Sequence, residues 1–164
     1  MNRKYQNLVN DFIGRCRQNF GDHLKAAALY GSVARGSARS TSDIDLILVF
    51  DILPKDHGRR IDMIFPLVQQ AEASPAAQAL RAEGFHPAIS PFLYTIDEIE
   101  RTQPILLDIT EDGIVLLDSG VLERKLQKLR ERLKELGAKR VVHTDGSMYW
   151  DLKPDWQPGE EIEL

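Results

Sequence analysis

Two short strings of residues carry the chemistry of this chain. Gly31-Ser32 ends an apolar run, Ala26-Ala27-Ala28-Leu29-Tyr30, and Asp43-Ile44-Asp45 opens a second one that continues to Phe50. Gly31 lets a ligand approach the backbone with no side chain in the way. A helix starting there presents its first amides, which lack partners, to an anion, and the Ser32 hydroxyl adds a donor. Arg35 lies one turn on, within reach of a phosphate or a neighbouring acid. Asp43 and Asp45 share one face of a strand, because residues i and i+2 do. Two carboxylates so placed repel each other. A divalent cation relieves that repulsion, and oxygen ligands of this kind suit magnesium, which also takes up substrate phosphates. Ile44 points the other way and anchors the strand. Singly the parts are ordinary, since Ser-Asp pairs mark turns and Asp-x-Asp is common. Strand, Gly-Ser, spacer, Asp-x-Asp and strand together specify a triphosphate and metal site.

These residues need a frame. Tyr5, Leu8, Val9, Phe12, Ile13 and Cys16 recur at helical spacing over residues 3–18, so an amphipathic helix opens the chain. The run 26–30 is short and bounded by glycine, which predicts a buried strand. Residues 44–50 are the clearest strand. One or two helices follow over 58–84, the second starting at Ser74-Pro75. Residues 88–95 predict a third strand, and Pro87 and Pro91 put it at an edge or on a bulge. A short helix begins near Ile96, an apolar segment runs from Ile105 to Ile109, and residues 113–117 predict a fourth strand. A helix over Val121 to Leu136 carries a stripe of Leu122, Leu126, Leu129, Leu133 and Leu136 and stops at Gly137. The stripe is too short for a coiled coil. It either packs on the sheet or first helix or forms a homodimer or partner interface. The tail around Tyr149, Trp150 and Trp156 is too aromatic for plain disorder and is expected to dock on the domain.

The 164 residues suit one domain with a real core, read as 1–118 plus a C-terminal helix and tail over 119–164 packed on it. Hydrophobic residues make up 43%, yet no apolar run is long enough for a membrane helix and the first residues do not form a signal peptide, so a cytoplasmic location is expected. Cys16 is alone and reads as a small core residue. The net charge of -4 gives nucleic-acid binding no support. Residues 121–140 do hold eight Lys or Arg against three Glu, but residues 141–164 hold six acids against Lys153, and the two segments can neutralise each other.

Residues 29–49 resemble the nucleotidyltransferases of the DNA polymerase beta superfamily, whose signature is Gly-Ser, a spacer, then Asp-x-Asp or Asp-x-Glu. The chain looks most like the small stand-alone "minimal" nucleotidyltransferases, including antitoxin members paired with HEPN-domain toxins. A looser likeness continues through Ile89-Ser90-Pro91-Phe92-Leu93, residues 107–113 and the basic helix. The resemblance implies an α/β (α+β) fold, a mixed β-sheet flanked by helices with a C-terminal helix and docked tail. It implies that Gly31, Ser32, Arg35 and Gly36 bind the nucleotide, and that Asp43 and Asp45 are catalytic and hold Mg2+. The reaction would move a nucleoside monophosphate from an NTP, ATP first among them, to an acceptor hydroxyl. A HEPN-type protein is the implied partner. The resemblance also implies a third carboxylate on the strand after Asp-x-Asp, and here that strand holds no acid; Ser90 or Phe92 stands in its place. Asp62 reads as a solvated helix residue, and Asp97 and Asp108 as turn or surface residues. The alternative is therefore a weak or inactive nucleotide-binding antitoxin or regulatory partner.

Overall fold

The computed structural model describes residues 3–101, 103–144 and 148–164. Its elements, in chain order, are α1 (Gln6–Phe20), β1 (Leu24–Tyr30), α2 (Gly31–Arg35), β2 (Ile44–Phe50), α3 (His57–Glu72), α4 (Pro75–Ala82), β3 (Ile89–Thr95), α5 (Ile96–Glu100), α6 (Pro104–Asp112), β4 (Ile114–Asp118), α7 (Val121–Glu135), β5 (Lys139–Val142) and β6 (Met148–Asp151). The expected mixed sheet is present. Its order is β3-β2-β1-β4, with β2 and β3 parallel and the other neighbours antiparallel.

Local chemistry sets the helix starts. The Asp56 carboxylate accepts from the Arg59 amide at 2.9 Å, and Ser74 Oγ accepts from Ala77 ahead of Pro75. Thr95 and Glu98 close a capping box on α5. Asp118, at the end of β4, accepts from the Val121, Leu122 and Glu123 amides and so starts α7. Two starts differ from the sequence expectation. β1 begins at Leu24 rather than Ala26, because Leu24 and Lys25 extend the ladder opposite Phe50. The segment around Ile105 to Ile109 is the core of helix α6.

The sheet has a core on each face. Ala27, Leu29, Leu46 and Leu48 pack against α1, α3 and α4, where Leu8, Phe12 and Cys16 are fully buried. Burial pushes the Cys16 thiol up to about 12, so it is inert packing. Ala26, Ala28, Ile47 and Val49 face α5, α6 and α7. The leucine stripe is spent here: Leu122, Leu126, Leu129 and Leu133 are all buried in this second core. The basic face of α7 is also partly used within the chain. Lys125 Nζ donates to the Glu100 carbonyl (2.9 Å) and Arg130 Nε to the Thr110 carbonyl (3.0 Å), placing cations at the C-terminal ends of α5 and α6. The tail docks in part: Trp150, Leu152 and Leu164 lie on the same core, whereas Tyr149 and Trp156, also expected to dock, are about half exposed. The β5–β6 hairpin within it was not foreseen.

The third strand is an edge strand, and its pairing with β2 runs without a bulge. Its free side is largely closed. Pro91 has no N–H to offer. The Ile89 amide donates to Glu72 Oε1 (2.9 Å), the Leu93 carbonyl accepts from Arg60 (3.2 Å), and the Thr95 amide donates to Glu98 Oε2 (2.8 Å). Such blunting keeps an edge from templating another strand.

Candidate active site

The two strings meet at one end of the sheet. β1 and β2 pair so that Tyr30 lies opposite Asp45, which brings Gly31 and the start of α2 beside the carboxylates. Gly31 has φ +71°, and a Cβ built on it would collide with Asp45 Oδ2 and stand 3.1 Å from Asp45 Cγ. Glycine is thus required twice, by backbone conformation and by the approach of the acid. α2 is a single turn. Gly36 closes it with φ 80° and donates to the Ser32 and Val33 carbonyls, a left-handed helix stop. The first amides of that turn lack intrahelical partners by construction.

Asp43, just ahead of β2, is exposed; Asp45, within it, is half-buried. The Asp45 carboxyl lies above the usual carboxylate range, chiefly through burial and next through the Asp43 charge, while Arg35 pulls the other way. Its charged form is thus held at a cost that a bound cation would offset. The donor set fits one hard divalent ion: two carboxylates, one exposed and one shielded.

Arg35 lies 4.0 Å from Asp112, at the end of α6. Asp112 is also paired closely with Arg140 of β5. Sequence reasoning missed both, and no local pattern marks them, because three separate elements bring them together. Beside Asp45, the Tyr30 hydroxyl is pushed up by burial, with Asp45, Tyr94 and Asp108 adding to it.

Opposite Asp45 on the neighbouring parallel strand stands Ser90; Phe92 lies further along, opposite Ile47. Of the two residues expected at the third-acid position, Ser90 is level with the aspartates. Asp62 is exposed on α3 and Asp97 exposed in the first turn of α5, as their sequence context predicted. Asp108 sits on α6 and accepts from Trp150 Nε1 at 3.2 Å. Among the described residues no group of three or more His, Cys, Asp or Glu is arranged to hold a metal ion. None of their helices is long and apolar enough to cross a membrane.

Residues 9–142 match the family described as Nucleotidyltransferase domain. The chain belongs to that family. Membership supports an activity related to nucleotide transfer and, with it, the use of a divalent metal. A Methanocaldococcus jannaschii protein provisionally named a protein adenylyltransferase is 46% identical over 56 residues, which cover 34% of this chain and 36% of that protein. The matched segment is thus only about a third of that relative's length. Among solved structures, spectinomycin adenyltransferase from Enterococcus faecialis, with ATP and spectinomycin, aligns with a TM-score of 0.50 at 12% identity, over 80% of this chain and 66% of that one. A chain of the Shewanella oneidensis complex of tri-AMPylated HEPN toxin with MNT antitoxin aligns at 0.42 and 14% identity, over 80% of this chain and 92% of that one. At 12% identity the likeness to the spectinomycin adenyltransferase is one of fold alone.

Proposed function

We propose that this chain binds a nucleoside triphosphate with magnesium at the end of β1 and β2, and that its own transfer activity is weak or absent. Gly31, Ser32, Arg35 and Gly36 hold the phosphates, with ATP the first candidate; Asp43 and Asp45 hold the metal. Bound magnesium would neutralise the triphosphate and polarise the phosphorus under attack. The chain's part is positioning: open amides at α2, a guanidinium one turn on, and a shielded carboxylate held against Gly31. The observation that carries the weak-transfer reading is Ser90, a neutral hydroxyl level with Asp45 where an active site would need a third acid. A cytoplasmic nucleotide-binding partner of a HEPN-type protein is the role this reading assigns.

The second reading is an adenylyltransferase acting on a hydroxyl. It is favoured by the complete Gly-Ser and Asp-x-Asp pair and by the name of the archaeal relative. One experiment separates the two. Purified chain receives α-phosphate-labelled ATP and magnesium, with and without a HEPN-type protein, while calorimetry measures ATP binding. Saturable binding lost in Asp45→Ala, with little label transferred, is the outcome expected. Rapid transfer by the chain alone overturns the weak reading in favour of the second, and absence of binding overturns both.

A further inference from the structure

The β5–β6 hairpin grips α6 with one cross-strand pair. Arg140 and Trp150 stand opposite each other in its ladder. Arg140 pairs with Asp112, and Trp150 Nε1 donates to Asp108 Oδ1 at 3.2 Å. Asp108 and Asp112 are four residues apart on α6, so they project from one face of that helix. Both acids also reach the candidate site. Asp112 lies 4.0 Å from Arg35, and the Asp108 charge acts on the Tyr30 hydroxyl beside Asp45. The two acids link the hairpin to the end of β1 and to α2.

We infer that Arg140 is a positioning residue for the nucleotide site: by occupying Asp112 it leaves Arg35 available to the phosphates, and without it Asp112 takes Arg35 for itself. The inference rests on the nucleotide-binding reading given above and involves no transfer step. Three observations carry it.

The first is that both arginines address one atom. Arg140 Nη1 and Arg35 Nη1 both face Asp112 Oδ2. Arg140 donates a hydrogen bond to it, whereas Arg35, at 4.0 Å, is an ion-pair neighbour beyond hydrogen-bond reach. The carboxylate is shared unequally, and its stronger partner comes from the hairpin.

The second is charge. Arg35 is drawn by Asp112 on one side and by Asp45 on the other. Magnesium held by Asp45 would cancel the second pull and leave Asp112 as the rival of the phosphates. Within the trio, two guanidiniums share one carboxylate, and the positive charge left over is what a triphosphate can use. Removing Arg140 abolishes that surplus. One carboxylate and one guanidinium then remain, and they close on each other.

The third is burial. The side chains of Arg35, Asp112 and Arg140 are 25%, 22% and 21% exposed. Solvent screens partly buried charges weakly, so a carboxylate stripped of its partner here must find another. Arg35 is already within ion-pair distance.

The test uses the whole chain with magnesium and a non-hydrolysable ATP analogue, whose affinity is measured by calorimetry. The Trp150 indole N–H resonance reports hairpin docking. Arg140→Met should bind the analogue about tenfold more weakly, as when Arg35 is available about a tenth of the time, with the Trp150 signal retained. Adding Asp112→Asn to that variant removes the competitor, and affinity should return to within about threefold of the unmodified chain. Arg124→Met removes the same charge near the start of β1, away from the site, and should leave affinity unchanged. If Arg140 served only to hold the hairpin, the double variant would bind no more tightly than Arg140→Met. That result, or unchanged binding in Arg140→Met, overturns the inference. So does an equal loss in Arg124→Met, which would make bulk charge the cause, or collapse of the Trp150 signal in Arg140→Met, which would make undocking the cause. Absence of binding by the unmodified chain is a different failure, that of the underlying reading, and the unmodified chain alone reports it.

Discussion

Gly31 and Asp45 compete for one volume: the missing Cβ of one is where the carboxylate of the other sits. Gly31→Ala must both leave a positive φ and displace the acid. It should lose about 1–3 kcal/mol of stability and most affinity for magnesium-ATP. Gly84→Ala is the control. Its φ is also positive, but no atom lies within 4 Å of an added Cβ, so it meets backbone strain alone. Urea unfolding and calorimetry on both variants separate strain from collision; equal loss of nucleotide in the two would contradict the account.

Asp45 is held charged at a cost. Its raised pKa means that its contribution to stability is complete below the ordinary value of 3.8 and is lost as pH rises through the shifted one. At neutral pH without divalent ions, Asp45→Asn should therefore melt higher than the unmodified chain, and the gap should close in acid. Magnesium should raise the Tm of the unmodified chain and leave the variant where it was. A lower Tm for the variant at pH 7 without divalent ions would sink this prediction.

The Arg60–Glu98 pair has the opposite sign. Arg60 and the Thr95 amide hold the Glu98 carboxyl down at about 2, from an ordinary 4.5. Its contribution is complete above 4.5 and disappears as pH falls toward 2. Arg60→Ala leaves a partly buried carboxylate without its partner and should cost about 3 kcal/mol at pH 7. Glu98→Gln should cost less, and its deficit relative to the unmodified chain should shrink between pH 5 and pH 2.5 in denaturant titrations, a window set by that shift. A deficit that does not change with pH would show that charge is not what the pair contributes.

Ser90 lies opposite Asp45, where on the proposed reading a third carboxylate would complete a metal site. Ser90→Asp should raise transfer from labelled ATP by about tenfold or more, on the scale of general-base effects, with a second metal detected by titration. The partly exposed position accepts the change without loss of core packing. If a second metal binds and transfer does not rise, the acceptor rather than the acid is what limits the chain.

The frame of the site was legible because it is local. Ile44 to Phe50 is apolar but for Asp45 and reads as a buried strand, and the shortness of its neighbour and the bounding Gly31 favour strand over helix there. The lack of an acid between Glu83 and Asp97 was equally plain, but only the parallel register could choose Ser90 over Phe92. The Arg35–Asp112–Arg140 cluster was not legible, since its members lie on α2, α6 and β5 and none is unusual in its own segment. The β5–β6 hairpin escaped for a related reason. Four-residue strands such as Lys139–Val142 carry too short a pattern to stand out until a partner strand pairs with them. The basic helix reads only as a charge that the acidic tail can neutralise; two of its cations in fact cap neighbouring helices.

Every element covering the Asp45 face of the sheet comes from the second half of the chain. α5, α6, α7 and the hairpin lie between residues 96 and 151, and α7 is tied back to α5 and α6 by Lys125 and Arg130. During synthesis, therefore, β1, β2 and β3 can assemble on α1, α3 and α4 while Ile47 and Val49 still face water. The core on that face closes only when α7 emerges and docks, because Leu122, Leu126, Leu129 and Leu133 supply much of it. A ribosome-bound chain ending before residue 120 would carry the Gly-Ser and Asp-x-Asp signature on a sheet whose second face is still open to water.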